Sequence, residues 1–198
     1  MLPTRDPPQD KRPTQTENKE QETNFPNKWT GKEKASVVIL MSDKIDFKNR
    51  AIKRDLEGHF IIQKGRIHEE HINIVNIYAL NIGAPKYMKK IMEEFKKDIN
   101  SKTIIVGEFN TPLSKMDRSS KQNINKDIVA LNNALDEMDL TDIYRVFHPK
   151  EAKHTFFSKA HGTLSKLDQM VGHKTCLTKF KKIEIISSIF CNHKGQKL

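Results

Sequence analysis

Beyond residue 34 the chain reads as short apolar runs separated by polar punctuation, and the runs follow two different periods. Ala35-Ser36-Val37-Val38-Ile39-Leu40-Met41 is almost continuously apolar and predicts a buried strand. His59 to Gln63 and Ile72 to Tyr78 alternate instead, the period-two pattern of half-buried strands, with Gly58 and Gly65 read as turns beside them. After Pro85, Met88, Ile91, Met92, Phe95 and Ile99 recur at spacings of one turn with lysines between them. That pattern predicts an amphipathic helix whose first turn holds the proline. Thr103 to Val106 predicts another buried strand. Ile128, Leu131, Leu135 and Met138 then mark a second helix, with Asn125 as its N-cap. Strands are expected again at Thr155 to Phe157, Leu164 to Val171 and Ile183 to Ile186, and no internal repeat is visible. Strand-rich segments with two isolated helices predict an α+β arrangement, with a sheet or pair of sheets carrying helices outside.

The first 31 residues have a different texture. They hold five of the eight prolines and only four large apolar residues, Met1, Leu2, Phe25 and Trp29. Such a segment buries too little apolar surface to offset the entropy of ordering it, so residues 1–31 are expected to be a disordered tail and residues 32–198 one domain. A length of 198 residues fits that division. The longest apolar run, Val37 to Met41, is far short of the ~20 residues of a spanning helix, so no membrane segment is expected. Met1 to Asp6 has no apolar stretch and contains both a proline and an acid, which excludes a secretory signal. Two cysteines, Cys176 and Cys191, make neither a disulfide framework nor a zinc site. A reducing compartment follows, with nucleus and cytoplasm fitting equally.

The formal charge is +10, which favours a polyanionic partner. Residues 1–31 contribute nothing to it, since five bases there balance five acids. Residues 173–198 carry six lysines against the single acid Glu184, so half the excess lies at the C-terminal end. A solvated lysine face and a phosphate-tracking surface are both consistent with that distribution.

Candidate chemistry gathers where apolar runs end. Gly107-Glu108-Phe109-Asn110-Thr111-Pro112 follows directly on the strand at 103–106, so its polar side chains emerge at a sheet's end. Asn81 follows Tyr78, Asp168 lies in a later strand segment, and Asn192-His193 follows the last apolar run. A phosphodiester hydrolase needs such a set: a carboxylate-bound divalent cation, a group to orient attacking water, and donors for developing charge. Taken singly the residues have plainer readings. Tyr78 suits a strand aromatic, Asn81 a turn, and Asp168 a lysine pair. Asp117 and Asp142 read as loop or helix-start residues.

From about Lys34 to His193 the sequence resembles the endonuclease domain of long interspersed element (non-LTR) retrotransposon polyproteins. That domain is a branch of the endonuclease/exonuclease/phosphatase superfamily, which includes apurinic/apyrimidinic endonucleases and deoxyribonuclease I. The likeness is carried by Val75 to Asn81, Gly107 to Ser114, Asp139 to Arg145, His154 to Ser158 and Ser165 to Asp168, in the family's order. It implies a four-layered α/β sandwich and magnesium-dependent nicking of DNA, with DNA as partner and no small-molecule cofactor. It also implies roles: Tyr78 and Asn81 near the phosphate, Asn110 holding the scissile group, Asp168 orienting His193, and His193 contacting the phosphate in the transition state.

Three departures accompany the resemblance. Glu108 stands where the family has the aspartate that positions water, which adds a methylene. Asn192 stands where the family has a metal-associated aspartate, leaving an oxygen without a charge and only a weak metal ligand. The family's first strands, with their asparagine and metal-binding glutamate, have no counterpart in residues 1–31, and only Lys194 to Leu198 remain for a closing strand. The expectation is a partial sandwich with its first strands missing, a truncated and degenerate endonuclease of weak or no activity. Its rivals are an active Mg2+-dependent endonuclease and a non-enzymatic nucleic-acid binder working through the basic C-terminal stretch.

Overall fold

A computed structural model describes residues 37–120, 123–188 and 193–198. Its centre is a six-stranded mixed sheet of order β1-β2-β3-β4-β8-β5, formed by β1 (Phe47–Arg54), β2 (Phe60–Ile67), β3 (Glu70–Tyr78), β4 (Thr103–Glu108), β8 (Asp168–His173) and β5 (Leu140–Asp142). The first three strands form an antiparallel meander, whereas β3 and β4 pair in parallel. A parallel pair needs a crossover, and α1 (Ala84–Phe95) supplies it. Beyond β4 the sheet is antiparallel again through β8 to β5. Two ribbons, β6 (Phe156–Ser158) with β7 (Thr163–Ser165) and β9 (Glu184–Ile186) with β10 (Gly195–Lys197), complete the strands among the described residues. This is the α+β architecture that the apolar periodicity predicts.

One face of the sheet makes the main core. Phe60, Ile62, Val75, Ile77, Ile105 and Val171 point from it into Met88, Ile91, Met92 and Phe95 of α1 and Leu131 and Leu135 of α2 (Lys126–Glu137). Apolar side chains at period two on the strands and period 3.6 on the helices interlock there, and burial drives the packing. Pro85 sits in the first turn of α1, and the Asn125 side chain accepts the Ile128 N–H at 2.9 Å, capping α2. On the opposite face a second cluster joins Ile104 and Met170 to Ile143, Tyr144, Phe147, Leu177, Phe180, Ile183 and Ile185. Ile143, Tyr144 and Phe147 belong to α3 (Ile143–Phe147). No helix of the described residues is long and apolar enough to cross a membrane.

Several expectations change. Of the run Ala35 to Met41, residues 37–41 are described and form no strand; Val38 is 56% and Leu40 76% exposed. The antiparallel position beside β2 is taken by Phe47–Arg54, a strand too charged to be read from periodicity. The apolar run is held by two bonds, Val37 N–H to the Gly58 carbonyl at 3.1 Å and Asn76 Nδ2 to the Val38 carbonyl at 2.9 Å. Gly58 does turn the chain, at φ 81. Gly65 does not: it lies inside β2, and a Cβ there would collide with the Phe47 ring. The C-terminal segment closes on β9 as the short strand β10, so the expected lack of a closing strand is partly made good. Residues 1–31, expected as a disordered tail, lie outside the described residues, as do Cys191 and Asn192.

Candidate functional site

The sheet register builds the site. Tyr78, the last residue of β3, pairs with Glu108, the last of β4, and Glu108 pairs with Asp168, the first of β8. Residues opposite one another across strands point to the same face, so three polar side chains form one row at one end of the sheet. Gly107 makes the close approach of β3 and β4 feasible: its φ is +132, and a Cβ there would collide with the Ile77 carbonyl. The chain then leaves β4 through Asn110, held at φ 47, whose Nδ2 donates to the Ala79 carbonyl at 2.7 Å. Ala79 N–H in turn donates to the Glu108 carbonyl at 2.9 Å, so the two strand exits are tied together.

His193 is brought to this row from the C-terminal end of the chain. It bridges to Phe156, with ring centroids 4.8 Å apart, and its Nδ1 lies 2.8 Å from Asp168 Oδ2. Its Nε2 faces Glu108, 3.7 Å from Oε1. The imidazole thus stands between two carboxylates, and donor atoms of Glu108, Asp168 and His193 all lie within 4.8 Å of one another. Burial pushes the Glu108 carboxyl above its usual range, and Asp168 adds to this, while His193 and a hydrogen bond with Asn110 oppose it. Asp168 is itself fixed from behind. The Thr155 hydroxyl accepts its N–H at 3.2 Å, and Gln196 Nε2 donates to its carbonyl at 2.6 Å.

Of the residues singled out from sequence, Glu108, Asp168 and His193 meet directly, Tyr78 joins them by register, and Asn110 stands beside Glu108. Asn81 lies in the exposed bend after β3. Asp168 makes no lysine pair among the described residues; it holds His193. Asp117 and Asp142 serve structure, as their loop reading predicts. Asp117 is fully buried, accepts from the Leu113 and Ser114 N–H groups and pairs with Arg145 at 2.7 Å. Asp142 caps α3 and pairs with Lys166 at 2.7 Å.

Sequence reasoning missed what supports the site from below. Lys166 is fully buried, bonded to Asp142 and to the Gln169 side-chain oxygen, with the Tyr144 ring 5.6 Å from its Nζ. Gln169 Nε2 donates to the carbonyls of Lys166 at 3.1 Å and Thr111 at 3.4 Å. This polar layer joins the loop that follows Glu108 to the segment that presents Asp168. The signal in sequence was a lysine two residues before β8, a pattern that surface lysines share.

No family model matches the chain. Among solved structures, an AP endonuclease from Archaeoglobus fulgidus superposes at a TM-score of 0.62 with 13% identity, over 76% of this chain and 70% of that one. The endonuclease domain of TRAS1, a telomere-specific non-LTR retrotransposon, superposes at 0.60 with 13% identity, over 79% and 69%. The catalytic domain of Xenopus laevis APE2 does so at 0.55 with 15% identity, over 72% and 56%. The chain therefore has the fold shared by AP endonucleases and a non-LTR retrotransposon endonuclease, the endonuclease/exonuclease/phosphatase fold that its sequence motifs imply.

Proposed function

We propose that this chain is a remnant of a metal-dependent DNA endonuclease, a phosphodiester-hydrolysing site kept in outline and weakened in its chemistry. The observation that supports it is the row Tyr78, Glu108 and Asp168 with His193 clasped to Asp168 at 2.8 Å. In this reading Asp168 holds the imidazole so that Nε2 faces the scissile phosphate. Glu108, at 3.7 Å from that nitrogen, orients the attacking water and accepts its proton. Its raised carboxyl suits a base of this kind. Tyr78, Asn81 and Asn110 hold the phosphate oxygens.

Donor atoms of Glu108, Asp168 and His193 lie within 4.8 Å, a set that suits a divalent cation, Mg2+ in this reading, for which the Asp168 oxygen not bonded to His193 would be the hard ligand while Glu108 stays the base. When bound, such an ion neutralises the phosphate and stabilises the charge on the leaving oxygen. The weakening has a geometric source. The extra methylene of Glu108 carries its carboxylate to the nitrogen of His193 that should meet the phosphate, so ion pair and substrate compete for one place. A displacement of ~1 Å in a reacting group costs on the order of a hundredfold in rate. Purified chain incubated with supercoiled plasmid tests the reading. Slow Mg2+-dependent relaxation, lost with chelator and in His193→Ala, is expected. Nicking that survives His193→Ala would refute it.

A further inference from the structure

β1 has the sequence Phe-Lys-Asn-Arg-Ala-Ile-Lys-Arg: four cations, no carboxylate, and every residue after Phe47 exposed. It forms the outer edge of the six-stranded sheet. Charged side chains on an edge have a plain purpose, since they discourage pairing with another copy. Their placement goes further than that purpose requires.

The flanking acids leave the strand's arginines alone. Asp46 lies 3.8 Å from Lys48, while Asp55 faces His59 at 3.4 Å and accepts the Phe60 N–H at 3.3 Å. Among the described residues neither Arg50 nor Arg54 has a carboxylate partner. Arg50 is the extra residue where the register with β2 shifts between Asn49 and Ala51, and such edge bulges re-aim a side chain. Lys53 lies over the Phe95 ring at 5.2 Å, on the helix side of the sheet. Arg54, the next residue, therefore points to the opposite face. That is the face of Glu108 and Asp168, because Arg54, Ile61, Asn76 and Val106 lie in one register row and Tyr78 and Glu108 lie one alternation further on. Three strand spacings at ~4.8 Å and one alternation of ~6.6 Å place Arg54 roughly 16 Å from Glu108 across the same face. At ~3.4 Å per step, that separation is about five base steps of duplex.

The basic C-terminal stretch presents a contrast. Lys174 reaches Asp136 at 3.4 Å and Asp139 at 3.9 Å, Lys179 is bonded to Glu70, and Lys182 reaches Glu184 at 2.8 Å. Three of that region's six lysines are thus held by carboxylates, two of them from outside the segment, whereas on the β1 edge, among the described residues, only Lys48 is so held.

We propose that the β1 edge, through Arg50 and Arg54, binds the phosphate backbone of duplex DNA about five base steps from the Glu108–His193 site. The choice of DNA rests on the nuclease reading; the cationic edge does not. The test is fluorescence anisotropy of a labelled 20-base-pair duplex across a salt series, in chelator so that no turnover occurs. Three proteins are compared: the full chain, Arg50→Gln/Arg54→Gln, and Lys179→Gln/Lys181→Gln/Lys182→Gln. The edge variant is expected to bind about tenfold more weakly near 0.1 M salt, and its log-log salt slope to fall by about 1.8, two phosphates at ~0.9 each. The C-terminal variant is expected to change the slope by less. An unchanged slope in the edge variant, a larger loss in the C-terminal variant, or no duplex binding by the full chain would overturn the proposal. So would a poly-glutamate peptide that needs the two arginines while the duplex does not, since that result assigns the edge to a protein partner. Thermal melts confirm that the exposed substitutions leave the fold intact. Absence of nicking with the salt slope intact defeats the nuclease reading and leaves the edge assignment standing.

Discussion

At the scale of single residues, the proposed chemistry turns on Glu108. Its backbone is fixed by register with Tyr78 and Asp168, so only side-chain length distinguishes it from an aspartate at the same place. Shortening it withdraws the carboxylate from His193 Nε2, now 3.7 Å away, and reopens the position that a phosphate would take. Glu108→Asp is therefore expected to raise the plasmid-nicking rate by roughly ten- to a hundredfold; an unchanged or lower rate would show that the extra methylene is not the defect. The same residue has a pH signature. Burial raises its folded pKa above the unfolded value of 4.5, so the native state binds more protons and stability falls as pH rises through the window above 4.5. Glu108→Gln removes that penalty. Its melting temperature relative to the parent chain should be higher at pH 8 than at pH 4, and an equal difference at both pH values would contradict the burial argument. Glu108 and His193 were legible in sequence because each follows an apolar run, and Asp168 through the motif Ser165 to Asp168 that carries the resemblance. The Glu108–His193 pairing was not, because it depends on where residues 85 positions apart come to rest.

At the scale of elements, the polar layer under the site is the most consequential part. Lys166 is fully buried and is neutralised by Asp142, which is itself mostly buried. Removing one partner of such a pair leaves an uncompensated charge, at a cost of about 3–5 kcal/mol. Lys166→Met should therefore cut stability by that order in urea melts, and Lys166→Met/Asp142→Asn should recover most of it; no recovery would mean that the pair does not act as a unit. The caps are simpler. Asn125→Ala removes one side-chain acceptor from the start of α2 and should cost about 1 kcal/mol, measured the same way. α1, α2 and four of the sheet strands were legible from the apolar pattern, since each buries one apolar face, whereas the five-residue α3 was not. β1 and β5 were not. The first is a charged edge whose formation depends on ladder bonds to β2, and the second is three residues long with only Leu140 buried. The apolar segment at 37–41 misled for the opposite reason: hydrophobicity marks a wish for burial, and pairing needs a free edge.

At the scale of the whole molecule, the fold brings segments from β3, β4, β8 and the C-terminal end to one end of one sheet, and Arg54 of the cationic edge strand points to the same face. Formal charge by segment pointed to the C-terminal lysines; three-dimensional pairing moves the emphasis to β1, because charge in sequence does not record which carboxylates fold back upon it. On the proposed reading, the Asp168–His193–Glu108 arrangement is a phosphodiesterase site with weakened chemistry. Its most direct test is relaxation of supercoiled plasmid by the full chain, His193→Ala and Glu108→Asp in parallel, each with Mg2+ and with chelator. The account predicts slow Mg2+-dependent nicking by the full chain, none by His193→Ala, and faster nicking by Glu108→Asp. Nicking by His193→Ala at the parent rate, or no nicking by a folded Glu108→Asp protein, would contradict it.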